Sequence, residues 1–308
     1  MTEEKTSELP RISLVTPCLN QVDLIGKTLD SVLDQQYANL DYVVVDGAST
    51  DGSVEVIRAR ERHLSHWISE PDEGHYDALN KGFDKTSGAI MGYLNGDDVL
   101  LPGALALVAH IFTEFPEVEW LTGSHVAIDA AGRPVAAHSA SEWSRWRLLS
   151  PRVTQFPGQE STFWRRGLWE RAGGRMAAEF ELAADFELWA RFSRDATLHT
   201  VEAPIACFRH IEGQRSVALK DAYMDEVAEI RAREVGRSPS DRRATRLASA
   251  GLRATARSRA LQTKVDSALG APNKIVFDSE TNRLRLRPPS AAAARAHRVF
   301  LRLSGSDR

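Results

Sequence analysis

Asp97 and Asp98 stand side by side at the end of the apolar run Ile90-Met91-Gly92-Tyr93-Leu94, set off from it by Asn95-Gly96. A strand that closes on two carboxylates puts hard oxygen donors at its carboxyl end, where open α/β sheets bind their ligands. Two such donors suit a divalent cation that keeps several waters and holds a substrate phosphate. A simple turn also accounts for Asn-Gly-Asp-Asp, with an aspartate capping the helix that Pro102 opens. Other acids weigh against it. Asp46 ends the run Asp41-Tyr42-Val43-Val44-Val45, and Asp72 lies in the polar loop ahead of the central strand. Acids thus recur at three successive strand ends or loops, and one turn explains only one of them.

The elements that must position these acids follow from the apolar periodicity. Ile12 to Val15 is a short strand, and Leu24, Leu29, Val32 and Leu33 give the next segment helical spacing. With the strand from Asp41 to Val45 this makes a β-α-β unit, which predicts a parallel sheet. A polar loop from Asp46 to Ser53 follows, then a helix from Val54 to Arg62 and a third strand, His66 to Ser69. Glu70 to Phe83 is a loop entering a short helix that leads to the central strand.

Beyond it the pattern predicts a helix from Leu105 to Phe112 and strands from Glu119 to Thr122 and Val126 to Ile128, with a turn at Ala131 to Pro134. A strand from Gln159 to Trp164, a helix from Gly167 to Ala172 and an amphipathic helix opening near Asp185 come next. A last strand, Thr200 to Ile205, and a helix from Asp221 to Val235 close this part. The expected organisation is a leader over 1–10, an α/β domain over 11–235 and a basic extension over 236–308. In the extension a helix is expected from Arg242 to Leu269, with Leu247, Leu261, Val265 and Leu269 on or near one face. A small hairpin from Lys274 to Leu286 is expected around Glu280-Thr281-Asn282.

The 308 residues, 43% of them hydrophobic, suffice for a sizeable core. No apolar run approaches the roughly 20 residues that span a bilayer, and the polar start has no signal-peptide character, so a cytoplasmic location is expected. Cys18 and Cys207 are far apart and suggest neither a disulfide framework nor a zinc site. The net charge of -3 hides an asymmetry: from Gly236 onward 16 Lys and Arg face 5 Asp and Glu, so the extension is +11 and residues 1–235 are -14. Three roles remain open for that extension: docking on anionic lipid at the inner membrane face, a solvated helix, or packing against the acidic domain. Nucleic acid is not expected, because stacking aromatics are nearly absent from it.

Thr16-Pro17-Cys18-Leu19-Asn20, Asp46 to Ser53, Asp72 to Gly82 and Leu94 to Asp98 resemble, in order and spacing, the motifs of glycosyltransferase family 2. The resemblance covers about residues 10–220. It implies a GT-A fold, a mostly parallel sheet flanked by helices with a Rossmann-like nucleotide-binding half and an acceptor half. It further implies a nucleotide-sugar donor, a divalent metal (Mg or Mn) and inversion at the anomeric carbon.

Carried onto this chain, the resemblance places Thr16, Pro17, Asn20 and Ser49 beside the nucleoside and Asp46 on the base or ribose. Asp72, Asp77 and Lys81 line the same pocket. Asn95 replaces the first acid of the family's metal motif and, with Asp97, faces the donor. Asp97, Asp98 and His210 are the candidate metal contacts, with the choice of direct ligand between Asp97 and Asp98 left open. Asp185 matches the family's general base, Gln159 and Glu160 face the acceptor, and Glu187 is the rival base.

The expected function is therefore a single hexosyl or N-acetylhexosaminyl transfer to a glycan or lipid-linked acceptor, in polysaccharide biosynthesis. The Gln-x-x-Arg-Trp motif and membrane spans of the family's processive synthases are missing. A sugar nucleotidyltransferase would need a Gly-rich basic loop near the first strand, and Thr16 to Gln21 offers none. A non-catalytic nucleotide-sugar binding module is the other alternative.

Overall fold

The computed structural model describes residues 9–139, 141–211, 213–214, 218–237, 239–255 and 274–287, together with 298, 299 and 302. The amino-terminal half opens with β1 (Ile12–Cys18), α1 (Val22–Leu33), β2 (Leu40–Asp46), α2 (Ser53–Arg58) and β3 (His66–Ser69), followed by α3 (His75–Phe83) and β4 (Ile90–Tyr93). Strands β3, β2, β1 and β4 lie side by side in that order, all parallel. β1 and β2 are buried on both faces, which is why they read as near-continuous apolar runs. The chain lays β2 and β3 on one side of β1 and then crosses to set β4 on the other. That reversal between β1 and β4 opens a crevice at the strands' carboxyl ends.

The second half adds β5 (Val99–Leu100), α4 (Ala104–Glu114), β6 (Trp120–Ile128), β7 (Pro134–His138), α5 (Arg145–Leu149), β8 (Thr162–Arg165), α6 (Arg166–Arg171), α7 (Ala184–Asp195) and β9 (Leu198–Arg209). It ends with α8 (Lys220–Gly236), α9 (Pro239–Thr255), β10 (Lys274–Asp278) and β11 (Arg283–Arg287). β8 pairs antiparallel with β4 and β6, and β6 runs parallel to β9, so the sheet is mixed in this half. β10 joins β9, so the hairpin of the basic extension completes the edge of the same sheet.

One apolar layer, under α1, α2 and α4, holds Ile25, Leu29, Ile57 and Leu105. The other packs α3, α6, α7 and α8 through an aromatic cluster that includes Trp120, Trp164, Trp189 and Phe192. Among the described residues no helix is long and apolar enough to cross a membrane.

Most of the expected elements are present, with differences. The helix expected from Val54 to Arg62 is α2 over Ser53–Arg58 followed by a 3-10 turn at Glu61–His63, and the strands expected from Glu119 to Thr122 and Val126 to Ile128 are the single strand β6. Gln159 to Ser161 is a 3-10 turn and the strand starts only at Thr162. β9 is longer than the apolar stretch Thr200 to Ile205, because pairing with β6 carries it out to Arg209. The expected basic helix runs over Pro239–Thr255, and Leu261, Val265 and Leu269 lie outside the described residues.

Candidate active site

The Asn-Gly-Asp-Asp segment follows β4 directly and does not cap a helix: α4 begins six residues after Asp98, at Ala104, behind a Gly103 N-cap with φ +79. It is pinned from α1, where Thr28 Oγ1 lies 2.8 Å from the carbonyls of both Gly96 and Asp98. Gly96 is required by close approach, since a Cβ there would sit 2.2 Å from Gln21 Oε1 and 3.2 Å from the Pro17 carbonyl.

Asp98 is fully buried, and both its oxygens are engaged: Gln159 Nε2 donates to one and the Arg209 amide to the other, each at 2.9 Å. Burial, then the charges of Asp97 and Glu160, push its carboxyl well above the usual range. Asp97 is slightly more open, at 8% exposed, and burial raises its pKa too. Among the described residues its carboxylate meets only the Gln214 amide, at 3.4 Å, while Arg209 Nε donates to its carbonyl at 2.7 Å. Asp97 is therefore the acid of the pair with room for another partner.

Several buried oxygens have no hydrogen-bond donor among the described residues: Asp46 Oδ1, Asn95 Oδ1, Gln159 Oε1 and Gln214 Oε1. Buried acceptors are normally satisfied. Orphaned oxygens beside crowded acids are the donor set a hard divalent cation takes, so the residues fit such an ion at Asp97 and Asn95. His210 is not gathered into one cluster with Asp97 and Asp98. Its ring is exposed and edge-on to Phe208, its amide is tied to the Ile128 carbonyl, and among the described residues no three His, Cys, Asp or Glu side chains assemble to hold a metal.

At the end of β2 the Asp46 carboxylate accepts from the Ser49 amide at 2.9 Å and the Ser69 hydroxyl at 2.7 Å, leaving Oδ1 free. Asn20 and Ser49 tie the first two loops together, the Asn20 amide donating to Ser49 Oγ and the Thr50 amide to Asn20 Oδ1. Asn20 and Ala48 both hold positive φ, +51 and +63, which costs on the order of 1 kcal/mol per non-glycine residue. Asp51 is architectural: it accepts from the Val22 and Ser53 amides.

Thr16 turns its hydroxyl to Tyr42 at 3.0 Å inside the sheet, so only its main chain and Pro17 border the crevice. Asp72 folds over Gly47, where a Cβ would stand 2.6 Å from its Oδ2. Asp77 and Lys81 pair with each other at 3.3 Å, and Lys81 also reaches Glu70 and the Pro71 carbonyl, an arrangement that fixes the Asp72 loop.

On the other side of the crevice, Asp185 sits in the first turn of α7, with Oδ1 accepting from the Phe186 amide at 2.7 Å. Burial, reinforced by the Glu160 and Glu226 charges, pushes its carboxyl up to about 7. Glu160, buried next to Gln159, raises both Asp98 and Asp185, so its field spans the two halves of the site. His125 stands 3.6 Å from it. Glu187 is engaged elsewhere, both oxygens accepting from Arg191 Nε at 2.9 and 2.7 Å.

Sequence reasoning missed Glu226 and Arg209. Glu226, on α8, accepts from the amides of Glu181, Leu182 and Ala183 at 3.0, 3.0 and 2.8 Å, and so caps the entry to α7 from a distance. An isolated acid in a helix gives no sign of such a role. Arg209 stands next to the expected site residue His210, but the pairing of β9 with β6 is what aims it at the Asp97 and Asp129 carbonyls.

A four-stranded parallel half joined to a mixed half, flanked by helices, is a GT-A-type fold. Solved structures agree: the TarS 1-349 fragment of S. aureus in complex with UDP-GlcNAc has a TM-score of 0.57 at 16% identity, over 91% of this chain and 97% of that one. A mannosyltransferase of Pyrobaculum calidifontis in complex with GDP-Man and Mn2+ gives 0.52 at 18%, over 85% and 86%.

Residues 13–157 match the profile of Glycosyl transferase family 2, and the chain carries a domain of that family. An uncharacterized glycosyltransferase of Mycobacterium tuberculosis (Rv1514c) is 36% identical over 90 residues, covering 29% of this chain and 34% of the relative. A PGL/p-HBAD biosynthesis glycosyltransferase of the same species is 29% identical over 168 residues, 53% and 62% of the two chains. The chain thus spans about a third of the length of the former.

Proposed function

We propose that the chain moves one hexosyl or N-acetylhexosaminyl unit from a nucleoside-diphosphate sugar to an acceptor hydroxyl, with inversion. The observations that carry this are the buried oxygens of Asp46, Asn95, Gln159 and Gln214 that have no donor among the described residues, together with a buried acid, Asp185, whose pKa is about 7. Asp46 Oδ1 accepts from the base or ribose of the donor, and Asn20, Ser49 and the Pro17 main chain wall that pocket.

Asp97 and Asn95 would hold Mg or Mn, which neutralises charge on the departing diphosphate when bound. Asp98 stays a buried anchor that keeps Asp97 in place through Arg209 and Gln159. Asp185 takes the proton of the acceptor hydroxyl as that oxygen bonds to the anomeric carbon and the bond to the diphosphate breaks. A single displacement on the face opposite the leaving group inverts the anomeric centre. Gln159 and Glu160 stand where the acceptor enters.

The acceptor is a glycan or lipid-linked glycan met at the inner face of the membrane, and the process is the building of a cell-surface polysaccharide. One relative's name, O-antigen biosynthesis protein RfbC of Myxococcus xanthus, supports that process. Thermal melting with a panel of UDP- and GDP-sugars, with Mg or Mn, tests the donor. A true donor at a hundred times its dissociation constant stabilises by about 2.7 kcal/mol. Asp97→Ala should abolish that gain. Undiminished stabilisation in excess chelator would remove the metal from the scheme, and a panel without a single stabilising sugar would remove the donor.

A further inference from the structure

We propose that α9, with the groove it forms against Pro151 and Val235, is a docking site for the anionic phospholipids of a membrane surface. The proposal takes its purpose from the transfer reading above, but its observations lie entirely outside the active site.

Arg242, Arg246 and Arg253 follow each other at spacings of four and seven, so they share one face of the helix, with Ala250 between them. All three border a groove of about 580 Å³ whose remaining wall is largely apolar, from Pro151, Val235, Ala250 and Ala254. Among the described residues no acid lines it, and neither Arg246 nor Arg253 has an acidic partner. Thr245 borders the same groove at 7% exposure, with a hydroxyl that no group among the described residues satisfies. Leu247, 40% exposed, flanks the basic face.

α9 is not a loose tail. Ala244 and Ala248 on its opposite face are buried, Arg145 pairs with Asp241 at 3.3 Å, and the Ser150 and Ser249 hydroxyls meet at 3.2 Å. The basic face is therefore held rigidly outward from the acceptor half.

A solvated helix has no use for an apolar groove under its cations. A basic rim around an apolar floor, with a buried hydroxyl free to pair, matches an amphiphile with an anionic head and hydrocarbon chains. The phosphodiester meets the arginines, and the first methylenes lie in the groove. Stacking aromatics, which a nucleic acid would want, are missing from the groove lining among the described residues.

The experiment is co-sedimentation of the full-length chain with vesicles of phosphatidylcholine, with and without phosphatidylglycerol, at low salt and at high salt. Binding is expected only with phosphatidylglycerol, and it should fall as screening shortens to roughly 3 Å at 1 M salt. R246E/R253E should lower the partition coefficient by at least about 30-fold, roughly 5-fold for each arginine lost, with repulsion of the two new glutamates adding to it. Ala250→Trp, which fills the groove and keeps every charge, should lower it several-fold; Ala250→Leu serves if the larger residue does not fold. Melting curves of the variants check that each is folded.

Phosphatidylglycerol binding that survives R246E/R253E would overturn the proposal, as would no binding by the parent at low salt. A parent-like Ala250→Trp would reduce the contact to bare surface charge and overturn the groove. A single-stranded RNA oligonucleotide that displaces the vesicles and binds more tightly in the same salt would overturn the choice of lipid. No sugar donor is present in any arm, so either outcome leaves the transfer reading to its own test.

Discussion

Asp185→Asn should make the protein more stable and much less active, and both effects depend on pH in a calculable way. Its carboxyl moves from 3.8 to about 7 on folding, chiefly through burial. Between those values the native state holds a proton that the unfolded chain has released. Stability from this group is therefore complete below about pH 4 and is lost as pH rises through about 7. A shift of about three units at about 1.4 kcal/mol each sets an upper limit near 4 kcal/mol; partial exposure of the side chain brings the expectation closer to 2. Asparagine keeps the acceptor for the Phe186 amide and has no charge to bury.

Urea unfolding of parent and variant at pH 4.5 and pH 8 measures the difference. The variant should gain little at the lower pH and on the order of 2 kcal/mol at the higher. Donor transfer by the parent should rise with pH to a plateau above an apparent pKa near 7, because the base must be ionised. In the variant it should fall at least ~10²-fold with nucleotide binding intact. A stability difference equal at the two pH values would refute the buried-carboxyl account, and parent-like transfer would refute the base.

Glu226→Gln leaves a single carboxamide oxygen for three amides and removes a charge that raises Asp185, so the acidic limb of the pH profile should move down. A merely structural role would lower activity without moving that limb. Asp46→Asn keeps the Ser49 and Ser69 contacts in reach but removes a charged acceptor, and nucleotide binding by calorimetry should weaken about 10- to 100-fold while the melting temperature changes little. A parent-like dissociation constant would remove Asp46 from the donor pocket.

The parallel half of the fold was legible because its strands are buried on both faces and its helix shows one apolar stripe, so each element announces its own environment. The acids at the strand ends stood out for the same reason, being polar groups that break apolar runs. What stayed hidden depends on contacts between distant segments. Thr28 pins Gly96 across 68 positions, and Arg209 reaches Asp97 across 112. The hydroxyl of Thr16 belongs to Tyr42 only because β1 and β2 pair in one register. Local spacing also hid the difference between Glu187 and Asp185, two acids of one helical turn. Arg191, one turn on, takes the first and leaves the second without a cationic partner among the described residues.

The two carboxyls with the highest demand on the fold, Asp98 and Asp185, share Glu160 as a neighbour, and the peptide that brings it there also brings Gln159 to Asp98. A 3-10 turn suits this task better than the strand expected from the sequence. In a strand, residues 159 and 160 would face opposite sides of the sheet. The tighter turn, stacked directly on β8, lets the Gln159 amide bind Asp98 while the Glu160 carboxylate stays buried beside His125. Gly158 opens it for a steric reason, since a Cβ there would stand 2.3 Å from Glu160 Oε1.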